Sequence, residues 1–303
     1  MHSFIFDNYG YYPNNLIDDG FEYKDWIFKL VRVENDENNI GSIEKYDEMI
    51  RNCFNGFSGH VMKNRNNQFI SYSNGIAYSL ICVPKVNVNV YDYFKLHSCF
   101  LNIESNKNYS LYKILKVEEE KYEFIENIVL SSIRRDLDSY SSYLYMFFYY
   151  FGLAENSLQY LSDAINDYGD KLNNLTLCHK KYACLSSYDF FNPFNYIIDN
   201  PIRDIAQVLK NENLTKNEMI NFLNLYNLST HEASVLFSYV MYPQKLFDEL
   251  IEFYDNKKDI STYLFKEQGK ISFNKEKIKS IYYILQYKYN IRPIKWIETE
   301  LSY

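Results

Sequence analysis

Glycine and proline are scarce, 9 and 6 in 303 residues. No glycine-rich phosphate cradle is therefore present, since "NLIDDGF" offers Gly20 alone, and no low-complexity linker divides the chain. The five cysteines (Cys53, Cys82, Cys99, Cys178, Cys184) are odd in number and scattered. They form no C-x-x-C and are not grouped with the five histidines, which argues against a disulfide scaffold and a zinc site. Buried reduced thiols in a cytosolic protein are the expectation. Concentrated positive charge is also missing: the net charge is -7, and Arg134-Arg135 is followed at once by Asp136 and Asp138. An acidic chain without a Lys/Arg stripe lacks the footprint of a nucleic-acid binder. The greasiest run, "YLYMFFYYFGLA" (143–154), falls well short of the roughly 20 apolar residues that span a bilayer. "MHSFIFDNYG" has neither a basic n-region nor an apolar h-region, so no signal peptide is expected.

Aromatic residues, by contrast, are abundant, with 32 Tyr and 22 Phe. Together with much Asn, Ile and Lys they fit a host biased toward A/T-rich codons better than an aromatic binding surface. Hydrophobic residues at 47% and charged residues at 23% are ordinary for a soluble globular protein. The length accommodates one large domain or two lobes.

Periodicity divides the chain in two. "FEYKDWIFKLVRV" (21–33) alternates and is rich in aromatic and β-branched residues, which predicts one strand. "SIEKYDEMIRNCF" predicts a helix over about 42–54 with Ser42 as N-cap. "GHVMK" and "QFISYS" flank "NRNN" as a hairpin, and "IAYSLICVP" is a further strand ended by Pro84. From residue 89 onward helical spacing dominates. One helix is expected over "NVYDYFKLHSCFLNI", another from about Leu111 to Leu130, and two more on either side of Gly152. In the helical part Tyr145, Phe148, Leu158 and Leu161 are expected in the core. Residues 172–202 lose the pattern and read as loops and short strands. Thr215 with Glu218, and Ser229 with Glu232, predict capping boxes. The expected fold class is α+β, with a β-rich lobe over 1–88 and a helical lobe over 89–303. Periodicity alone leaves a kinase-like layout as one α+β option among several.

Three stretches sharpen that choice: "DYFKLHSCF" (92–100), "GLAENSLQYLSDAINDYG" (152–169) and "DNPIRDIAQVLK" (199–210). In this order and spacing the chain resembles the YutH-type spore-coat kinase-like proteins, relatives of the CotS spore-coat proteins and, more distantly, of aminoglycoside and choline phosphotransferases. The resemblance runs nearly end to end and is weakest over the last forty residues or so. It implies a bilobal, protein-kinase-like fold. Phosphoryl transfer on such a fold needs a lysine on the phosphates, a glutamate holding that lysine, an aspartate near the attacking hydroxyl and ligands for magnesium.

Position by position, the resemblance makes Lys29 in "WIFKLV" the phosphate lysine, with Glu44 or Glu48 as its partner. The plainer alternative, a surface lysine on a strand facing a solvated helix, ranks slightly ahead. Active relatives carry His-Gly-Asp and then an Asn. Aligned by its histidine, this chain reads His179-Lys180-Lys181, and the downstream Asn position falls near Leu185 or Ser186. Lys181 has the wrong charge for a proton acceptor. The metal-binding aspartate position falls on Asn192, with Asp189 as a fallback if the loop is shifted. Asp204 and His97 match bracing positions. His179 is either a displaced general base or a packed histidine.

Two readings follow. In the first, the chain is a pseudokinase of the spore-coat type that acts by recognising other proteins, with no firm cofactor and at most a remnant of ATP/Mg binding. It would be cytoplasmic, or in the spore coat if its bacterial host sporulates. In the second, it is an ATP/Mg-dependent small-molecule phosphotransferase with a rearranged site. The first ranks ahead because of the loop residues.

Overall fold

The structure, a computed structural model, describes residues 2–13, 16–17, 20–33, 37–101, 109–137, 140–181, 184–256 and 259–299, with the backbone alone at 2, 16–17, 37–42 and 44–45. Contacts divide the chain into two compact units. The first comprises Met1–Ile103 with Leu175–Pro201, the second Glu104–Asn174 with Ile202–Tyr303. The residue 88/89 boundary expected from periodicity lies inside the first unit.

The first unit is built on an antiparallel sheet. Its strands are β1 (Leu16–Ile17), β2 (Gly20–Tyr23), β3 (Trp26–Arg32), β4 (His60–Met62), β5 (Ser71–Ser73) and β6 (Ile76–Pro84). Their order is β1-β2-β3-β6-β4, with β5 also on β6. Two expectations are corrected here. The strand expected over 21–33 is a hairpin, β2–β3, because Lys24 takes up a left-handed conformation at φ 52 and reverses the chain. No Gly or Asn marks that turn, so alternation carries straight through it in sequence.

The second correction concerns the expected "NRNN" hairpin. β4 and β5 do not pair with each other, and each pairs with β6. The true hairpin is β5–β6, turning at Asn74 (φ 50) and Gly75 (φ 77), the positive-φ pair that a tight two-residue hairpin demands. The "NRNN" stretch is held instead by the buried Asn64. Its Oδ1 accepts from the amides of Asn66 and Gln68, and its Nδ2 donates to Ile70 O and Ser71 Oγ.

Helix α1 (His2–Tyr9) covers one face of the sheet. Ile5 and Tyr9 pack there with Phe21, Phe28, Leu80 and Cys82. The rings of Phe21 and Phe28 stack at 4.6 Å between centroids. Burial pushes the Cys82 thiol up to about 12, which leaves it protonated. Lys29 lies opposite Ile81 in the β3–β6 register, so it alternates to the other face from Phe28.

Helix α2 (Glu37–Cys53) starts earlier than expected and takes in Ser42. The poor helix formers Asn38, Asn39 and Gly41 hide its start. α3 (Val90–Cys99) follows the sheet, capped by Asn89 with Asp92. Cys53 and Cys99, the last residues of α2 and α3, form a disulfide with Cα atoms 6.2 Å apart. This corrects the expectation that all five thiols are reduced. A pairing across 46 residues has no spacing motif to announce it.

The second unit is helical. A continuous helix runs through α4 (Leu111–Phe124), a π-turn (Ile125–Val129) and α5 (Leu130–Asp136). α6 (Leu144–Tyr168) passes through Gly152 without a break, joining the two helices expected on either side of it. A mid-helix glycine costs only about 1 kcal/mol, which the buried face of a 25-residue helix outweighs.

The face of α6 also differs from expectation. Tyr145 and Phe148 are 67% and 73% exposed, while Met146, Phe147, Tyr150 and Phe151 are buried. Leu161 is buried as expected and Leu158 only partly. The segment is apolar all round, so periodicity could not choose its inner face.

α8 (Ile202–Asn211), α9 (Lys216–Asn224) and α10 (Thr230–Met241) follow, then α11 (Gln244–Asn256), α12 (Ser261–Gly269) and α13 (Ile271–Tyr289). Both expected capping boxes are present, at Thr215/Glu218 and Ser229/Glu232. Among the described residues, no helix is long and apolar enough to cross a membrane.

Candidate functional site

Strands β7 (Thr176–His179) and β8 (Tyr196–Asp199) pair in antiparallel register, with Thr176 opposite Asp199 and His179 opposite Tyr196. They belong to the first unit. Residues 180–195 connect them and carry the short helix α7 (Ser187–Phe191) and a 3-10 turn (Pro193–Asn195). Tyr182 and Ala183 lie outside the described residues. Together with His179 at the end of β7, this connection holds the loop positions that the resemblance singled out.

His179 is buried, and its Nε2 donates to Phe190 O at 3.0 Å. Its ring sits 5.0 to 5.5 Å from those of Tyr93, Phe190 and Tyr196. The Tyr196 hydroxyl donates to the same carbonyl at 2.9 Å. Burial pushes that phenol up, and the charge of Asp47 adds to the effect.

The Asp189 carboxylate accepts from Ser186 Oγ at 2.7 Å, and Ser186 Oγ accepts from Asp189 N at 3.0 Å. Asp189 is thereby tied to the N-cap of α7. Asn192 Oδ1 accepts from Phe194 N at 3.0 Å, capping the 3-10 turn. Asn195 brackets the whole connection. Its Oδ1 accepts from Lys181 N at 2.8 Å, and its Nδ2 donates to Lys181 O at 2.7 Å and Asp189 O at 3.1 Å. Lys180 Nζ donates to Phe194 O at 3.0 Å, and Lys180 and Lys181 are both exposed.

β3 brings Lys29 to this connection. Its Nζ lies 4.2 Å from the centroid of the Tyr188 ring on α7, a cation–π contact. Glu48 is exposed on α2 and makes no ion pair with Lys29 among the described residues. The side chain of Glu44 lies outside them. Ser187 Oγ donates to Pro84 O, which fastens α7 to the end of β6. Gly59 is needed just before β4, because a Cβ there would stand 1.7 Å from Phe191 O. His97 and Asp204 are buried, in α3 and in the first turn of α8, and His97 O accepts from Thr176 Oγ1.

Sequence reasoning missed Tyr188 and Asn195. Tyr188 is one of 32 tyrosines and carries no signal, and Asn195 is one more polar loop residue. It also missed Ser58, His60 and Asp47. His60 Nε2 lies 3.4 Å from Ser58 Oγ, and its Nδ1 lies 3.1 Å from Asp47 Oδ1. That connectivity matches a hydrolase triad. Ser58 has no exposed surface, however, so no substrate carbonyl reaches it. Arg51 holds the other Asp47 oxygen at 2.7 Å, and the group ties α2 to β4.

Comparison with known proteins gives the family and the fold. Residues 2–280 match the family described as "Spore coat putative kinase YutH". The chain is 28% identical to the endospore coat-associated protein YutH of Bacillus subtilis (strain 168) over 133 residues, which are 40% of this chain and 39% of that protein. Among solved structures, an aminoglycoside phosphotransferase from Alicyclobacillus acidocaldarius superposes with a TM-score of 0.56 at 13% identity, over 90% of this chain and 87% of that one. An AMP-bound spectinomycin phosphotransferase superposes at 0.53 with 12% identity, over 93% and 96%. At such identities the likeness establishes the fold, that of the aminoglycoside phosphotransferases.

Proposed function

The chain belongs to the YutH family of spore-coat kinase-like proteins, and from that premise we propose that it is a catalytically degenerate kinase of the spore coat that acts through protein interaction. One observation carries this reading. In the connection between β7 and β8, the Asp189 carboxylate accepts from the Ser186 hydroxyl and the Cys184 thiol, while Asn192 and Asn195 cap and clamp the local backbone. Phosphoryl transfer is mostly positioning and charge neutralisation, and it needs carboxylates free to take magnesium and to accept a proton.

The charges placed there instead are Lys180 and Lys181, which repel magnesium. Lysine can still hold a phosphate as a point charge, so weak nucleotide binding without transfer is compatible with this reading. Lys29 supports the same view, since its ammonium rests on an aromatic face.

The test is an assay of purified protein with ATP, magnesium and a panel of aminoglycosides, sugars and choline. No phosphate release above background is expected, and Lys181→Ala changes nothing. Turnover that disappears on Asp189→Asn or His179→Ala would overturn the reading and establish the ATP/Mg-dependent phosphotransferase in its place. A thermal-shift titration with ATP, with and without magnesium, measures any remnant binding. A ligand at about 100 times its dissociation constant stabilises the fold by roughly 2.7 kcal/mol.

A further inference from the structure

The second unit contains a cavity of about 320 Å³ that no family motif marks. It is lined by residues of α6, α8 and α10 to α13 and by the segments that follow α8 and α10. Its apolar wall includes Leu153, Val240, Met241, Leu246, Ile278 and Ile281. Its charged lining is one-sided: Lys210, Lys245, Lys270 and Lys277 face a single carboxylate, Glu267. In a chain of net charge -7 this is a local inversion of sign.

The positive charge is only partly balanced. Lys270 Nζ pairs with Glu267 Oε1 at 2.7 Å. Lys277 is buried and donates to the carbonyls of Lys210 and Glu212 at 3.1 and 2.6 Å, at the C-terminal end of α8. Lys210 donates to the carbonyls of Tyr239 (3.4 Å) and Tyr242, at the end of α10. A helix C-terminus presents roughly half a negative charge. Two helix ends therefore offset about one of the two buried cations, and exposed Lys245 adds another. Glu118 and Glu212, outside the lining, lie near enough to Lys210 and Lys277 to favour their charged forms. The lining therefore carries four ammoniums against one carboxylate, with part of that charge met from behind, beside an apolar wall. Each buried ammonium has three donors and uses two on carbonyls. Desolvation holds both lysines below the usual lysine range, Lys210 at about 8.

We propose that this cavity binds a small organic anion, with an apolar body against the α6–α13 wall and a carboxylate or phosphate head on Lys210, Lys277 and Lys245. The volume is at the lower end of the roughly 300–1,000 Å³ of ligand pockets. The anion complements a lining that carries four ammoniums and one carboxylate.

Calorimetric titration of the full chain at pH 7 with octanoate, octyl phosphate and octanol tests this. Both anions are expected to bind at one site per chain, at least tenfold more tightly than octanol, and the tighter of the two identifies the head. Lys245→Glu, an exposed change that leaves both helix caps in place, is expected to weaken both anions about tenfold. Lys210→Met is expected to abolish head recognition, so that octanoate binds no better than octanol, with circular dichroism confirming the fold. The proposal is overturned if octanol binds as tightly as the anions, if neither anion binds at millimolar concentration, or if Lys245→Glu leaves both affinities unchanged.

Discussion

The connection between β7 and β8 and the lysine-lined cavity of the helical unit are opposites in one respect. In the connection, where kinase-like chemistry would sit, the polar side chains close on their own near neighbours. Asp189 and Asn192 serve caps, Asn195 clamps Lys181, and His179 donates to a carbonyl. In the cavity, Lys210 and Lys277 donate to helix-end carbonyls, with Glu118 and Glu212 behind them, and the lining sets four lysines against one glutamate. A satisfied hydrogen-bond network rigidifies, whereas a lining of mostly one sign favours a ligand of the other. Family descent thus marks the first region, and electrostatics marks the second.

That contrast can be broken most directly through packing. Phe190 is 1% exposed, between Phe54, Tyr93 and His179. Phe190→Ala is expected to cost about 3–5 kcal/mol in urea unfolding. Phe273, on the cavity rim and 54% exposed, should cost well under 1 kcal/mol when truncated. Equal costs would mean that the connection is no more locked than the cavity.

Proton linkage comes next. Lys210 is held at about 8 in the folded protein, below the ordinary 10.5. Between those values the unfolded chain binds more protons, so the wild type gains stability as pH rises from 8 toward 10. Relative to Lys210→Met, the gain should be on the order of 2 kcal/mol. A pH-independent difference between the two proteins would place Lys210 in a solvated setting.

Smaller still is the cap on α7. Ser186→Ala removes the hydroxyl that Asp189 N donates to and is expected to cost about 1 kcal/mol. Proteolysis should then cut first within 180–195. The smallest effect belongs to the outer face of α6, where Phe148→Ala should stay within about 0.5 kcal/mol of the wild type. Phe147→Ala, one residue earlier and buried, should be severely destabilising.

Legibility in the sequence followed local chemistry. The capping boxes at Thr215 and Ser229, β6 with its terminal Pro84, and the helical character after residue 89 each rest on signals within a few residues. The β2–β3 turn was hidden because Lys24 adopts a positive φ without glycine or asparagine to announce it. The β5–β6 turn did carry its Asn74-Gly75 signal, but "NRNN" offered a competing one. The inner face of α6 was ambiguous because Tyr and Phe occur all round it.

At the site, alignment through the resemblance located the right segment, and Lys29 does reach it. What Asp189 and Asn192 do there depends on hydrogen bonds to neighbours two or three residues away, and such bonds form only once the chain has turned. The cavity was not legible at all. Lys210 and Lys277 are 67 residues apart and meet through the folding of six helices.

The division of the chain into units has a consequence for synthesis. Neither unit is a continuous stretch: 104–174 interrupts the first, and 175–201 interrupts the second. As the chain leaves the ribosome, the six-stranded sheet and α3 are complete by residue 99, yet Tyr93 and Phe54 still lack His179, Phe190 and Phe191, which pack on them. About ninety more residues must emerge before those aromatic surfaces close, a wait of roughly 5–20 s at typical elongation rates. Over that interval the nascent chain carries an open aromatic face, and a holding chaperone has its opportunity to bind.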